Sequence, residues 1–115
     1  MGQADLLTYC LAKLGAEETD PWDGGGGVMK VGGKIFAFVG EATLGVKVAS
    51  STDEAQEWYQ RYPYHVSTMA YIGRHGWITV RSDDGVVPPD ELRELVDISY
   101  DIVVAALPKR LRPHE

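Results

Sequence analysis

The sequence predicts an α+β chain: a two-layer α/β sandwich, with a mostly antiparallel sheet carrying helices on one face. Two observations carry that expectation. Apolar residues recur with helical spacing near both ends of the chain and once in the middle, and with period two between those stretches. The 115 residues, 44% hydrophobic and 24% charged, suit one domain spanning 1–115 and give no linker that would divide it.

The elements follow in order. Over residues 4–14, Leu6, Leu7, Cys10, Leu11 and Leu14 fall three and four apart, and Gly15 stands where a helix terminates. Residues 16–23 are short and acidic with a Pro21-Trp22 pair, and read as a candidate edge strand; the glycines 24–27 after them read as a mobile loop. Residues 28–31 and 34–39 form a hairpin around Gly32-Gly33, a turn that demands positive φ. Residues 43–49 alternate as a third strand. Ser51 and Glu54 have the spacing of a capping box and open a second helix that runs to about Tyr62, before Pro63. Residues 64–72 and 76–81 read as two strands around a Gly73-Arg74-His75 turn. The last helix starts near Pro89-Asp90, with Asp90, Glu91 and Glu94 favoured by its N-terminal dipole. It runs to about Leu107, with Leu92, Leu95, Val96, Ser99, Val103 and Ala106 on one stripe, and Pro108 stops it. The order is therefore helix, three strands preceded by the candidate edge strand, helix, two strands, helix.

Composition excludes several classes. Cys10 is the only cysteine, so neither an internal disulfide nor a multi-thiolate zinc site can form. No apolar run approaches the roughly 18 residues of a membrane span, and the N-terminus lacks a basic-then-apolar leader. A cytoplasmic protein with no membrane contact is the expectation. Catalytic and metal motifs are also missing. Gly33-Lys34 lacks the Ser or Thr and the helix start of a phosphate loop. Asp83-Asp84 lacks the alternating oxygens of a calcium loop, and Ser99 lies within a helix rather than on a nucleophile elbow. No catalytic residue, metal ligand or cofactor is nominated, and the chain is not expected to be an enzyme.

The total of 11 Lys and Arg against 17 Asp and Glu, net −6, argues against a strongly basic mean field. The distribution says more than the total. Residues 61–82 hold Arg61, Arg74 and Arg81 with no acid, and residues 28–48 hold Lys30, Lys34 and Lys47 against Glu41 alone, whereas the second and third helices are acidic. Strand alternation places Leu44, Val46 and Val48, Ile78 and Val80, and Ile35, Ala37 and Val39 on the helix-covered face. The open face is then expected to carry Phe36, Phe38, Trp77, Lys34, Lys47, Thr79 and Arg81. Aromatics interleaved with cations can stack bases and neutralise phosphates. The same pattern is produced when a loop, a terminus or a second subunit covers the aromatics, which makes a protein partner or homodimer through the sheet face the competing expectation. The tail with Lys109 and Arg110 can touch phosphate or be a solvated end. Trp22 and the glycine loop would be the place for a small-molecule pocket.

The run Met29-Lys30-Val31-Gly32-Gly33-Lys34-Ile35-Phe36-Ala37 resembles the central signature of the MmcQ/YjbR family of small bacterial proteins. Cys10-Leu11, Leu14-Gly15, Pro21-Trp22 and Leu44-Gly45-Val46-Lys47-Val48 extend the resemblance, as do Gly76-Trp77-Ile78-Thr79-Val80, Glu91-Leu92-Arg93-Glu94-Leu95, Ser99-Tyr100 and Leu107-Pro108-Lys109. The resemblance covers nearly the whole chain. It implies a YjbR-like fold of the order just derived and a non-catalytic DNA-binding role of the double-wing kind, with no catalytic residues to carry over. The nominated nucleic-acid contacts are Lys30, Lys34, Lys47, Arg74, Trp77, Arg81, Lys109 and Arg110.

Overall fold

The computed structural model describes residues 1–19 and 27–113. The expectations for Pro21-Trp22, for glycines 24–26 and for a pocket beside Trp22 lie outside the described residues. In chain order the elements are α1 (Gln3–Leu11), β1 (Ala16–Thr19), β2 (Gly27–Val31), β3 (Lys34–Val39), β4 (Thr43–Lys47), α2 (Gln56–Arg61), β5 (Val66–Thr68), β6 (Trp77–Arg81) and α3 (Pro89–Ala106). Single 3-10 turns lie at Gly73–His75 and Lys109–Leu111. The strands form one six-stranded antiparallel sheet in the order β1-β2-β3-β4-β6-β5. The helices share its one covered face: Leu6 and Cys10 of α1, Trp58 of α2 and Leu92, Leu95 and Val96 of α3 enter the same core as Ala37, Val39, Leu44, Val46, Ile78 and Val80. The two-layer α+β expectation is met, and β1 is the edge strand anticipated before the hairpin. Among the described residues no helix is long and apolar enough to cross a membrane.

The β2–β3 turn shows why its glycines are needed. Gly32 and Gly33 have φ of +57° and +81°, the two positive values that a two-residue hairpin matching the sheet's twist requires. Gly32 also lies where α3 ends, since a Cβ there would come within 2.6 Å of a Leu107 methyl.

One bulge corrects the predicted face assignment. Met29 pairs with Ala37 but Lys30 pairs with Ile35, so Phe36 is an extra residue on β3. Period two breaks there. Phe36 turns under the helices, wholly buried, with its ring edge-on to Tyr100 at a centroid distance of 5.3 Å. Ile35 turns to the open face in its place, against the expectation for both residues.

β5 is shorter than the predicted 64–72. After a last bond from the Met69 N–H to the Trp77 carbonyl at 3.2 Å the chain leaves the ladder: the Gly73 N–H donates to the Met69 carbonyl at 2.9 Å, and Tyr71 takes a left-handed φ of +67°. The departing loop lays Met69 over Gly45, where a Cβ would lie 2.3 Å from the methionine methyl. The second helix also starts later than predicted. The Ser51 hydroxyl accepts the Glu54 N–H at 3.3 Å, as half of a capping box would, but residues 51–55 form turns and the helix begins at Gln56.

Candidate functional site

β3 and β4 pair only at Ala37–Val46, Phe38–Gly45 and Val39–Leu44. Beyond Ala37 the strands part around a side chain from the helix layer. The Ser99 hydroxyl, wholly buried, donates to the Phe36 carbonyl at 2.6 Å and accepts from the Lys47 N–H at 2.8 Å. It therefore replaces the next rung of the ladder and satisfies both backbone groups that the parting leaves open.

The parted strands, α3 and the last 3-10 turn enclose a cleft of about 640 Å³. Its walls are apolar: Ile35, Phe38 and Trp77 from the sheet, Ile72 from the loop after β5, Ile102, Val103, Ala106 and Leu107 from α3, and Leu111. Phe38 and Trp77 meet edge-on, with ring centroids 5.6 Å apart. Lys30, Lys34, Lys47 and His75 contribute the polar lining. The Lys47 ammonium donates to the His75 carbonyl, and burial holds its pKa below the ordinary lysine value while Glu54 pulls the other way. Lys30 lies across from Glu17 in register, yet among the described residues neither Lys30 nor Lys34 enters an ion pair.

The nominated residues divide into two groups. Lys30, Lys34, Lys47 and Trp77 meet at the cleft. Arg74 is exposed in the turn immediately before β6, its Nε 3.2 Å from His75 Nε2, so it belongs to the same end of the sheet. Lys109 and Arg110 are exposed in the turn after α3, whose Leu111 carbonyl lies against Gly32. That turn is tied down, because the Arg112 guanidinium donates to the Leu107 and Ala105 carbonyls at 2.9 and 3.0 Å and caps the negative end of α3. The stretch expected to be either a phosphate contact or a loose end is thus anchored through Arg112.

Arg81 does not join them. It lies at the opposite end of β6, with its guanidinium 2.9 Å from Asp83 and 3.6 Å from Asp84. Asp84 also accepts the Val86 N–H at 3.1 Å and faces the His65 ring at 2.7 Å, and these contacts, the backbone bond first, hold its carboxyl below the usual range. The two acids that follow Arg81 in the sequence compensate its charge. The expected aromatic platform is corrected as well: Phe36 is in the core and Trp77 is only 8% exposed. Met69, which lies over Gly45, is supplied by the same chain.

The sequence reading missed the helical half of the cleft and the role of Ser99. The signal available was a lone hydroxyl on the buried stripe of α3, where a polar side chain needs partners. Among the described residues no group of His, Cys, Asp and Glu is arranged to hold a metal ion.

Residues 11–102 match the family model YjbR. The chain is 33% identical over 110 residues to the protein YjbR of Escherichia coli strain K12, covering 95% of this chain and 92% of that one, and equally to YjbR of E. coli O157:H7. The crystal structure of Deinococcus radiodurans protein DR2400, with domain model DUF419, superposes with a TM-score of 0.81 at 28% identity, over 95% of this chain and 83% of that one. The signature around Gly32-Gly33, the hairpin it makes and the match across the whole sheet agree: the chain belongs to the YjbR family.

Proposed function

We propose that this chain is a non-catalytic DNA-binding protein that meets the phosphate backbone with the basic end of its sheet. One observation carries the reading. Lys30 and Lys34 from the hairpin, Arg74 from the turn before β6, and Lys109 and Arg110 after α3 come from distant segments to one end of the molecule. The acids Asp83, Asp84, Asp90 and Glu91 lie towards the other end. A local basic surface on an acidic chain can bind phosphates although the mean field opposes it. The contacts would be of the positioning kind, since long exposed cations carry no base code. The reading places the protein in the cytoplasm with its DNA.

The test is fluorescence anisotropy with a short duplex over a salt series. About five phosphate contacts predict a slope of about −4.5 in log affinity against log salt. Replacing Lys34, Arg74, Lys109 and Arg110 together by Ala should cut that slope to about −1, while Arg81→Ala, its charge already compensated, should leave it unchanged. No binding at low salt, or a quadruple variant that binds like the parent, overturns the reading.

A further inference from the structure

We propose that the cleft between β3 and β4 binds a small amphipathic carboxylate, with an aliphatic body against α3 and its head group among the lysines at the rim. The cavity of about 640 Å³ falls within the range of about 300–1,000 Å³ usual for small-molecule sites. It is built into the fold, because the Ser99 hydroxyl takes the place of the rung that would close the strands over it. Ala106, exposed at the end of an otherwise buried stripe, belongs to its wall rather than to the core. A concave apolar surface left uncovered on a small domain commonly marks a binding site.

The charge specifies the head group. Lys30 and Lys34 have no ion-pair partner among the described residues, and Lys47 is partly desolvated against the His75 carbonyl. An anion gains from all three, whereas a cation is repelled. The C-terminus of α3 beside the cleft is already capped by the Arg112 guanidinium, so its dipole does not offset the attraction of the three lysines for an anion. Lysine ammoniums are point charges that suit a lone carboxylate without the planar fork an arginine would impose. The lining is mostly aliphatic, with Ile35, Ile102 and Leu107 prominent, and favours an alkyl chain as the body.

The experiment is a methyl-resolved NMR titration of the whole chain with octanoate, and in parallel with 1-octanol and octylammonium. Octanoate should shift the Ile35, Ile102 and Leu107 methyls, saturate at one per chain, and bind more tightly than either control. Lys30→Gln with Lys34→Gln should weaken octanoate by about tenfold or more and leave 1-octanol unchanged. Ala106→Phe, which fills the wall from an exposed position, should abolish the shifts in a spectrum that otherwise remains that of the folded chain. No shift with octanoate, shifts confined to the exposed Leu11 and Leu14, or equal binding of all three compounds would each overturn the proposal. Lys30 and Lys34 belong to both readings, so the two are separated by Ala106→Phe, which should abolish the octanoate shifts and leave duplex binding and its salt slope unchanged, and by Arg74→Ala with Lys109→Ala and Arg110→Ala, which should lower the salt slope and leave octanoate binding unchanged.

Discussion

Ser99→Ala removes one oxygen from a site with no solvent exposure and leaves two backbone groups, the Phe36 C=O and the Lys47 N–H, without their partner. Each buried polar group deprived of its bond costs about 1–3 kcal/mol. The sum is reduced because the strands can draw together or water can enter from the adjacent cleft, which leaves an expected loss of about 3 kcal/mol. Intrinsic propensity acts the other way, since Ala is the better helix former by about 0.5 kcal/mol, so a loss cannot be ascribed to α3 itself. For a chain of this length, about 3 kcal/mol corresponds to a fall in Tm on the order of 10 °C. Calorimetry supplies the total, and amide hydrogen exchange locates it: the Lys47 amide should lose protection by more than the amides of Leu44 or Val46. A loss below about 0.5 kcal/mol, the range of an ordinary surface substitution, with Lys47 protection intact, would refute the account of the hydroxyl as a missing rung.

Two further perturbations test the frame around the cleft. Gly76→Ala would place a Cβ 2.0 Å from the Ala49 carbonyl oxygen at a φ of +87°, a collision of backbone with backbone that should cost about 3 kcal/mol or more in urea unfolding, whereas Gly33→Ala, at φ +81° with open space around it, should cost only about 1–2 kcal/mol; equal losses would contradict the contrast. Burial pushes the Cys10 thiol up to about 12, against the pull of Lys13, so alkylation at neutral pH should await opening of the fold and be far slower than in the urea-unfolded chain. Because the folded value is the raised one, the thiol's contribution to stability is present below its unfolded value near 9 and declines as pH rises from there towards 12. Rapid labelling of the native chain would contradict this.

Much of the frame was legible in the sequence for local reasons. A Gly-Gly pair between alternating runs can hardly be anything but a tight turn, and the buried stripe of α3 was readable at Leu92, Leu95, Val96, Ser99 and Val103. The bulge at Phe36 was not, because an extra residue on one strand is defined only against its partner, and simple alternation therefore placed Phe36 and Ile35 on each other's faces. The over-long fifth strand failed similarly, since nothing in Met69 or Tyr71 by itself announces a loop folded back over Gly45. The grouping of Lys30, Lys34 and Lys47 was anticipated from charge segregation. That of Arg81 was not excluded when it could have been, because Asp83 and Asp84 stand beside it in the chain. The cleft itself draws on residues 30–47, 72–77 and 102–111, and their meeting is a property of the assembled sheet and helix.

The hydroxyl wedged between β3 and β4 also fixes a dimension. The strands are held apart by hydrogen bonds from within the chain itself rather than by whatever enters, so the proposed ligand should find the opening already formed. Association of the proposed carboxylate should then be a single exponential whose rate climbs in proportion to concentration without levelling off. The parting of the two strands is thus set by one oxygen atom in the helix behind them.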